Sequence, residues 1–205
     1  MSGVAAIILA AGAGERFAAA GGQTAKALAP FEGMPMVRRV AETAVASRAR
    51  PIIVVTGFQA DAVGGSLTGL PVRLVDNAQF RDGISTSLRA GVEALPSDAD
   101  GALVLLADMP AIDVALLDAM IARAESAPAV LAVVPERGGR RGNPALLKRT
   151  LFPAVRELTG DEGAGRLLRA ASPGDVLTME AASDAIFQDA DTPKDLTRIE
   201  RSRGG

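Results

Sequence analysis

The sequence predicts an α/β fold: a Rossmann-like, mostly parallel central sheet with helices on both faces. Three observations carry that expectation. Apolar runs of five or six residues recur along the chain, they lack polar alternation, and segments of helical length separate them. Runs without alternation are how strands buried on both faces read, and such strands belong to sheets covered by helices. Strand and helix in turn imply right-handed crossovers.

The first strand is read at residues 4–9 and runs into a glycine loop. Met36, Val37, Val40 and Ala44 then recur at helical spacing. Strands follow at 51–56 and 71–75, with a helix over 60–67 between them. Residues 86–95 read as a helix and 102–107 as the most apolar strand. Val114, Leu117, Met120, Ile121 and Ala124 form the clearest helical stripe, and a strand at 130–134 follows it. The 40 alanines suit close packing of helix on sheet.

After Val134 the rhythm changes. Residues 135–144 read as a polar, glycine-rich loop leading into a short strand at 145–147. Two short helical pieces are expected within 151–171, around Gly160-Asp161-Glu162-Gly163. Short strands at 175–179 and 185–187 come next, and a last helix begins near Pro193, a residue suited to a first helical turn. With no repeat and no low-complexity linker, residues 1–205 read as one domain.

Composition narrows the chemistry. The 205 residues carry 22 basic and 24 acidic side chains, a net charge of −2, and contain no Cys, His, Trp or Tyr. Disulfides, zinc sites, thiol nucleophiles and histidine bases are therefore excluded. The charge balance argues against nucleic acid as a partner, and six Phe make a poor stacking platform. No apolar stretch approaches the length of a membrane span, and the start lacks a basic leader, so a cytoplasmic protein without a membrane partner is expected. What remains is carboxylates, Lys, Arg, hydroxyls, backbone amides and bound metal ions.

The glycine loop is Leu9-Ala10-Ala11-Gly12-Ala13-Gly14-Glu15-Arg16-Phe17. A strand followed by glycines lets backbone N–H groups approach a phosphate closely. A Walker A loop needs Gly-Lys-Ser/Thr, which is absent. A dinucleotide fingerprint needs a third glycine where Phe17 stands, and an acid after a second strand that here ends in Thr56-Gly57. L-A-A-G-x-G-x-R followed by Lys26 instead resembles the signature of nucleotidyltransferases with a Rossmann-like nucleotide-binding domain.

Further motifs narrow the resemblance to molybdopterin cytidylyltransferase-like proteins. Lys26-Ala27-Leu28 with Gly33-Met34-Pro35-Met36-Val37 is one. Asp76-Asn77 with Gly83-Ile84-Ser85-Thr86-Ser87-Leu88 is a second, and Ala107-Asp108-Met109-Pro110 a third. Gly142-Asn143-Pro144, Gly160-Asp161-Glu162-Gly163-Ala164 and Asp189-Ala190-Asp191-Thr192-Pro193 complete the series in the family's order. Two departures stand out: the segment between Arg16 and Lys26 is longer than usual, and Gly165 precedes Arg166 where the family has Arg directly.

The resemblance implies a nucleotide-diphospho-sugar transferase-like fold, with residues 1–134 as the nucleotide-binding half. Residues 135–205 would be the acceptor-binding half and C-terminal helix. It implies catalytic Arg16, Lys26 and Asp108, with Mg²⁺ held by Asp108 and Asp191. A hard cation suits carboxylates. Asp189 rivals Asp191, because two residues one apart in an extended segment face opposite ways. Helix capping is the plainer alternative for Asp108, near Ile112, and for the aspartates before Pro193. Leu9, Ala10, Ala11, Gly12, Gly14, Asn77, Gly83, Ser85 and Ser87 are the implied nucleotide-binding residues; for the serines an ordinary N-terminal cluster is the alternative. Arg141, Asn143 and Asp161 are implied for the acceptor, with a solvated basic loop as the alternative for the first two.

The expected reaction moves a nucleoside monophosphate from an NTP to a phosphorylated acceptor and releases pyrophosphate. A phosphate monoester, with a second pKa of ≈ 6, is already ionised at neutral pH, so the missing histidine is no obstacle. The resemblance favours CTP, through Ala11, and molybdenum cofactor as acceptor, with a molybdoenzyme as a possible recipient of the product. A cytidylyltransferase for a sugar or polyol phosphate is the near alternative. A non-enzymatic nucleotide- or cofactor-binding assembly module is the distant one.

Overall fold

A computed structural model describes residues 3–22 and 24–203; Met1, Ser2, Gln23, Gly204 and Gly205 lie outside the described residues. The first half contains β1 (Val4–Leu9), α1 (Glu15–Ala19), β2 (Pro30–Phe31), β3 (Met34–Pro35) and α2 (Met36–Ala46). It continues with β4 (Ile52–Thr56), α3 (Ala60–Ser66), β5 (Arg73–Asp76), α4 (Ile84–Glu93), β6 (Gly101–Leu106) and α5 (Val114–Ser126). The second half contains β7 (Ala132–Arg137), β8 (Arg140–Arg141), β9 (Ala145–Lys148) and α6 (Phe152–Arg156). After these come α7 (Ala164–Ala170), β10 (Val176–Glu180) and α8 (Pro193–Arg203).

One sheet takes strands from both halves in the order β10-β7-β9-β6-β1-β4-β5, with β8 paired to β7. β1 pairs in parallel with β4 and β6, β4 with β5, and β7 with β10. β9 lies antiparallel between β6 and β7. The expected mostly parallel sheet is therefore present, with one reversed strand near its centre.

The absence of polar alternation has the anticipated cause. Ile7 and Ile8 are adjacent, fully buried, and packed in different cores on opposite sides of the sheet. Ile8, Val54 and Leu105 meet Val40 and Ala44 of α2 and Leu117 and Met120 of α5. Ile7, Val55 and Val104 meet Leu88 and Val92 of α4 and Val155 of α6. Gly91 allows α4 to settle on the sheet, since a Cβ there would collide with Ile7.

Three readings need correction. The run at 71–75 becomes β5 at the sheet edge, where Leu74 is 47% exposed, because nothing pairs with its outer side among the described residues. Residues 185–187 form part of a 3₁₀ turn, Asp184–Phe187, started by Ser183, whose Oγ accepts from Ala185 N at 3.4 Å. Residues 135–144 are not all loop: β7 runs to Arg137 and turns back into β8 through Gly138 and Gly139. Both have positive φ, the backbone that a two-residue hairpin requires. Among the described residues, no helix is long and apolar enough to cross a membrane.

Candidate functional site

Ligands of open α/β sheets bind beyond the carboxyl ends of the strands. Here β1 runs into the Gly12–Gly14 loop and Asp108 follows the end of β6 by two residues. Gly14 is left-handed (φ 66°), and a Cβ on it would lie 2.6 Å from Lys26 Cβ. Glycine thus lets the loop rest on Lys26, which opens a 3₁₀ turn over Lys26–Leu28. Among the described residues the amides of Gly12, Ala13 and Gly14 donate to no backbone acceptor. They remain available to an anion.

Asp191 comes to the same place from the far end of the chain. The amide of Ala190 donates to the carbonyl of Asp108 at 2.9 Å, fixing the segment before α8 against the end of β6. Lys26 Nζ then donates to Asp108 Oδ2 at 2.5 Å and to Asp191 Oδ1 at 2.6 Å. Arg16 reaches the other oxygen of Asp191 at 2.5 Å, although its side chain is 82% exposed. Burial, the largest influence on Lys26, pulls its pKa down. The attraction of Asp108 and the hydrogen bonds to Asp108 and Asp191, with the attraction of Asp191, override burial and raise it above 10.5. Lys26 stays an ammonium at neutral pH.

Neither aspartate is a helix cap. Asp113 caps α5, accepting from Leu116 N at 2.8 Å. Thr192 and Asp195 bond each other at the start of α8.

A cavity of about 750 Å³ opens over this cluster, within the range of small-molecule sites. Leu9, Ala10, Ala11, Gly12, Gly14, Arg16, Lys26, Asp108 and Asp191 line it, together with Gly83 and Ser87 across the cleft. Asn77 and Ser85 do not. Asn77 is buried and donates to Thr86 Oγ1 at 2.8 Å and Ser87 Oγ at 3.0 Å, so it braces the start of α4. Ser85 is fully buried, and its amide donates to Gly160 at 3.1 Å. Phe80 and Arg81 also line the cavity, with the Arg81 guanidinium 5.1 Å over the Phe80 ring. No motif pointed to that pair.

A second cavity, of about 400 Å³, adjoins the first, and Leu106 at the end of β6 lines both. It holds Arg140, Arg141, Asn143, Arg169 and Asp189. Arg141 and Asn143 are thus together, whereas Asp161 lies in the first cavity. Asp189 and Asp191 face different cavities, as alternation in an extended segment requires. Arg166 lines neither and pairs with Glu162 at 3.0 Å.

The donor set suits a hard divalent cation. Asp108 Oδ1 is buried with no hydrogen-bond partner, and a lysine ammonium already stands between the two carboxylates. The first cavity has four carboxylates (Glu15, Asp108, Asp161, Asp191) against three cations (Arg16, Lys26, Arg81). A highly charged anion enters such a cavity only with a cation of its own. Two carboxylates with phosphate oxygens and water are a usual Mg²⁺ environment.

Comparison with known proteins identifies the family. A model of the MobA-like NTP transferase domain matches residues 6–176. The chain is 30% identical to nicotine blue oxidoreductase of Paenarthrobacter nicotinovorans, over 96% of each chain. It is 31% identical to purine catabolism protein PucB of Bacillus subtilis, over 96% of this chain and 95% of that one. A nucleotidyl transferase structure from Methanothermobacter superposes with a TM-score of 0.86 at 24% identity, over the full length of both. Rv0371c of Mycobacterium tuberculosis, in complex with manganese, gives 0.77 at 24% identity over 98% of this chain and 100% of that one. The fold is the nucleotide-diphospho-sugar transferase-like fold of nucleotidyltransferases. Matched along most of its length, the chain belongs to the MobA-like NTP transferase domain family and is a nucleotidyltransferase.

Proposed function

We propose that the protein transfers CMP from CTP to the phosphate monoester of a phosphorylated acceptor, of the molybdopterin cofactor type, releasing pyrophosphate. One observation carries the reading: Asp108 and Asp191 meet Lys26 where a nucleotide-sized cavity adjoins one rich in arginine. The two curated relatives bear names that point to different compounds, so the acceptor is taken from the motif series and not from them.

In this reading the Gly12–Gly14 amides, Arg16 and Lys26 take the triphosphate. Lys26 exchanges its carboxylate partners for phosphate oxygens, and Asp108 and Asp191 become free to hold Mg²⁺. The metal, when bound, draws electron density from the phosphate oxygens and offsets their charge. An acceptor phosphate oxygen attacks the α-phosphorus, and the bond from that phosphorus to the bridging β-phosphate oxygen breaks. The electron pair leaves on pyrophosphate, which the two cations stabilise. The attacking oxygen is already ionised, so no side chain removes a proton. Positioning and charge are the chemistry this chain must supply.

Leu9-Ala10-Ala11-Gly12 supports CTP, with hydrogen bonds to the base edge as the means of discrimination. A thermal-shift screen of CTP, GTP, ATP and UTP with Mg²⁺, followed by pyrophosphate release with molybdopterin cofactor, tests both parts. CTP should stabilise most and exceed GTP in kcat/KM by more than about tenfold. Equal use of both nucleotides would remove the CTP assignment, and turnover with a polyol phosphate alone would replace the acceptor.

A further inference from the structure

The second cavity contains an arrangement that the motifs did not single out. Three guanidiniums, those of Arg140, Arg141 and Arg169, face it against one carboxylate, Asp189. Their neighbours elsewhere are neutralised: Arg137 pairs with Asp184 at 2.9 Å and Arg166 with Glu162 at 3.0 Å. Arg140 lies 4.2 Å over the Phe187 ring. Among the described residues none of the three has an acidic partner, and Arg141 and Arg169 also lie over no aromatic ring. Gly165 lies one helical turn before Arg169, where a Cβ would come within 3.2 Å of Arg169 Nη1. The glycine that interrupts the family pattern therefore gives this guanidinium room.

The geometry points to an acceptor seat in which Arg141 and Arg169 hold an anionic phosphate monoester and Asp189 accepts from an N–H donor on the same molecule. Arg169 is thereby a specificity residue supplied by α7, in place of Arg166, which turns away. An arginine can grip two phosphate oxygens at once, and the two guanidiniums that no ring engages match a dianion in charge. Asp189 repels a bare anion and repays a ligand that brings a donor. The acceptor class is a phosphate monoester carrying an amino group or ring N–H.

This inference rests on the nucleotidyl-transfer reading, and binding can separate the two. Inorganic phosphate and O-phosphoethanolamine are titrated calorimetrically into wild type, Arg169→Met and Asp189→Asn, and Mg²⁺ with CTP is titrated in parallel. Arg169→Met should weaken both phosphate probes about tenfold and leave Mg–CTP affinity within twofold. Asp189→Asn should tighten inorganic phosphate and abolish any preference for O-phosphoethanolamine. Unchanged phosphate affinity in Arg169→Met would overturn the seat, and an unchanged probe ratio in Asp189→Asn would overturn the role of Asp189. Failure of wild type to bind Mg–CTP would instead count against the reading on which the seat rests.

Discussion

The two cavities share Leu106 and differ in their charge accounts. In the first, Lys26 and Arg16 are already paired with Asp108 and Asp191, and acids outnumber bases. In the second, bases outnumber acids, and all three guanidiniums are without acidic partners among the described residues. In the proposed function the first receives a polyphosphate by exchanging partners and admitting a metal. The second can receive an anion directly. On the proposed function one fold presents two anion sites, and only one of them should depend on a divalent cation.

The largest effect expected from breaking this contrast is Asp108→Asn. It keeps size but removes charge from the carboxylate whose Oδ1 has no partner. Pyrophosphate release should fall by about a thousandfold or more, about 4 kcal/mol. Melting should fall by no more than in Lys26→Met, since the charge lost is the partner of Lys26 and Asp113, not Asp108, caps α5. A variant that melts well below Lys26→Met would assign Asp108 to structure.

Lys26→Met should cost about 3–4 kcal/mol in turnover, comparable to removing one preorganised donor. It should also tighten binding of free Mg²⁺, since the ammonium no longer competes for Asp108 and Asp191. Mg²⁺ should raise the variant's melting temperature more than that of wild type; an equal rise would contradict the exchange. The pKa of Lys26 is raised, so its contribution to stability is complete below 10.5 and disappears only as pH rises above that value. The melting difference between wild type and Lys26→Met should therefore be constant from about pH 6 to 9.5 and shrink at higher pH.

Arg16→Ala should have the smallest effect, about tenfold in turnover. Its guanidinium is 82% exposed, and water screens its charge. A loss equal to that of Lys26→Met would show that Arg16 moves inward when nucleotide binds.

The sheet was legible because β1, β4 and β6 are buried on both faces and carry no competing period. The edge strand β5 was less so: its run looks as apolar as the others, and only pairing order reveals that it ends the sheet. Residues 185–187 misled because three apolar residues fit a strand or a tight turn equally well. The family resemblance of the motifs singled out Lys26, Asp108 and Asp191, which the fold brings together. Alternation could say that Asp189 and Asp191 diverge but not which faces Lys26. That phase is set by the bond between Ala190 N and the Asp108 carbonyl, a contact between distant segments. No sequence pattern marks Phe80 and Arg81, because only the packing of their 3₁₀ turn brings them to the cleft.

Calorimetric titration of CTP with and without Mg²⁺ tests the division between the cavities most directly. With Mg²⁺ present, CTP should bind about a hundredfold more tightly than in EDTA, about 2.7 kcal/mol, while inorganic phosphate binds equally in both. CTP binding of equal strength in EDTA would contradict the requirement for a cation in the first cavity.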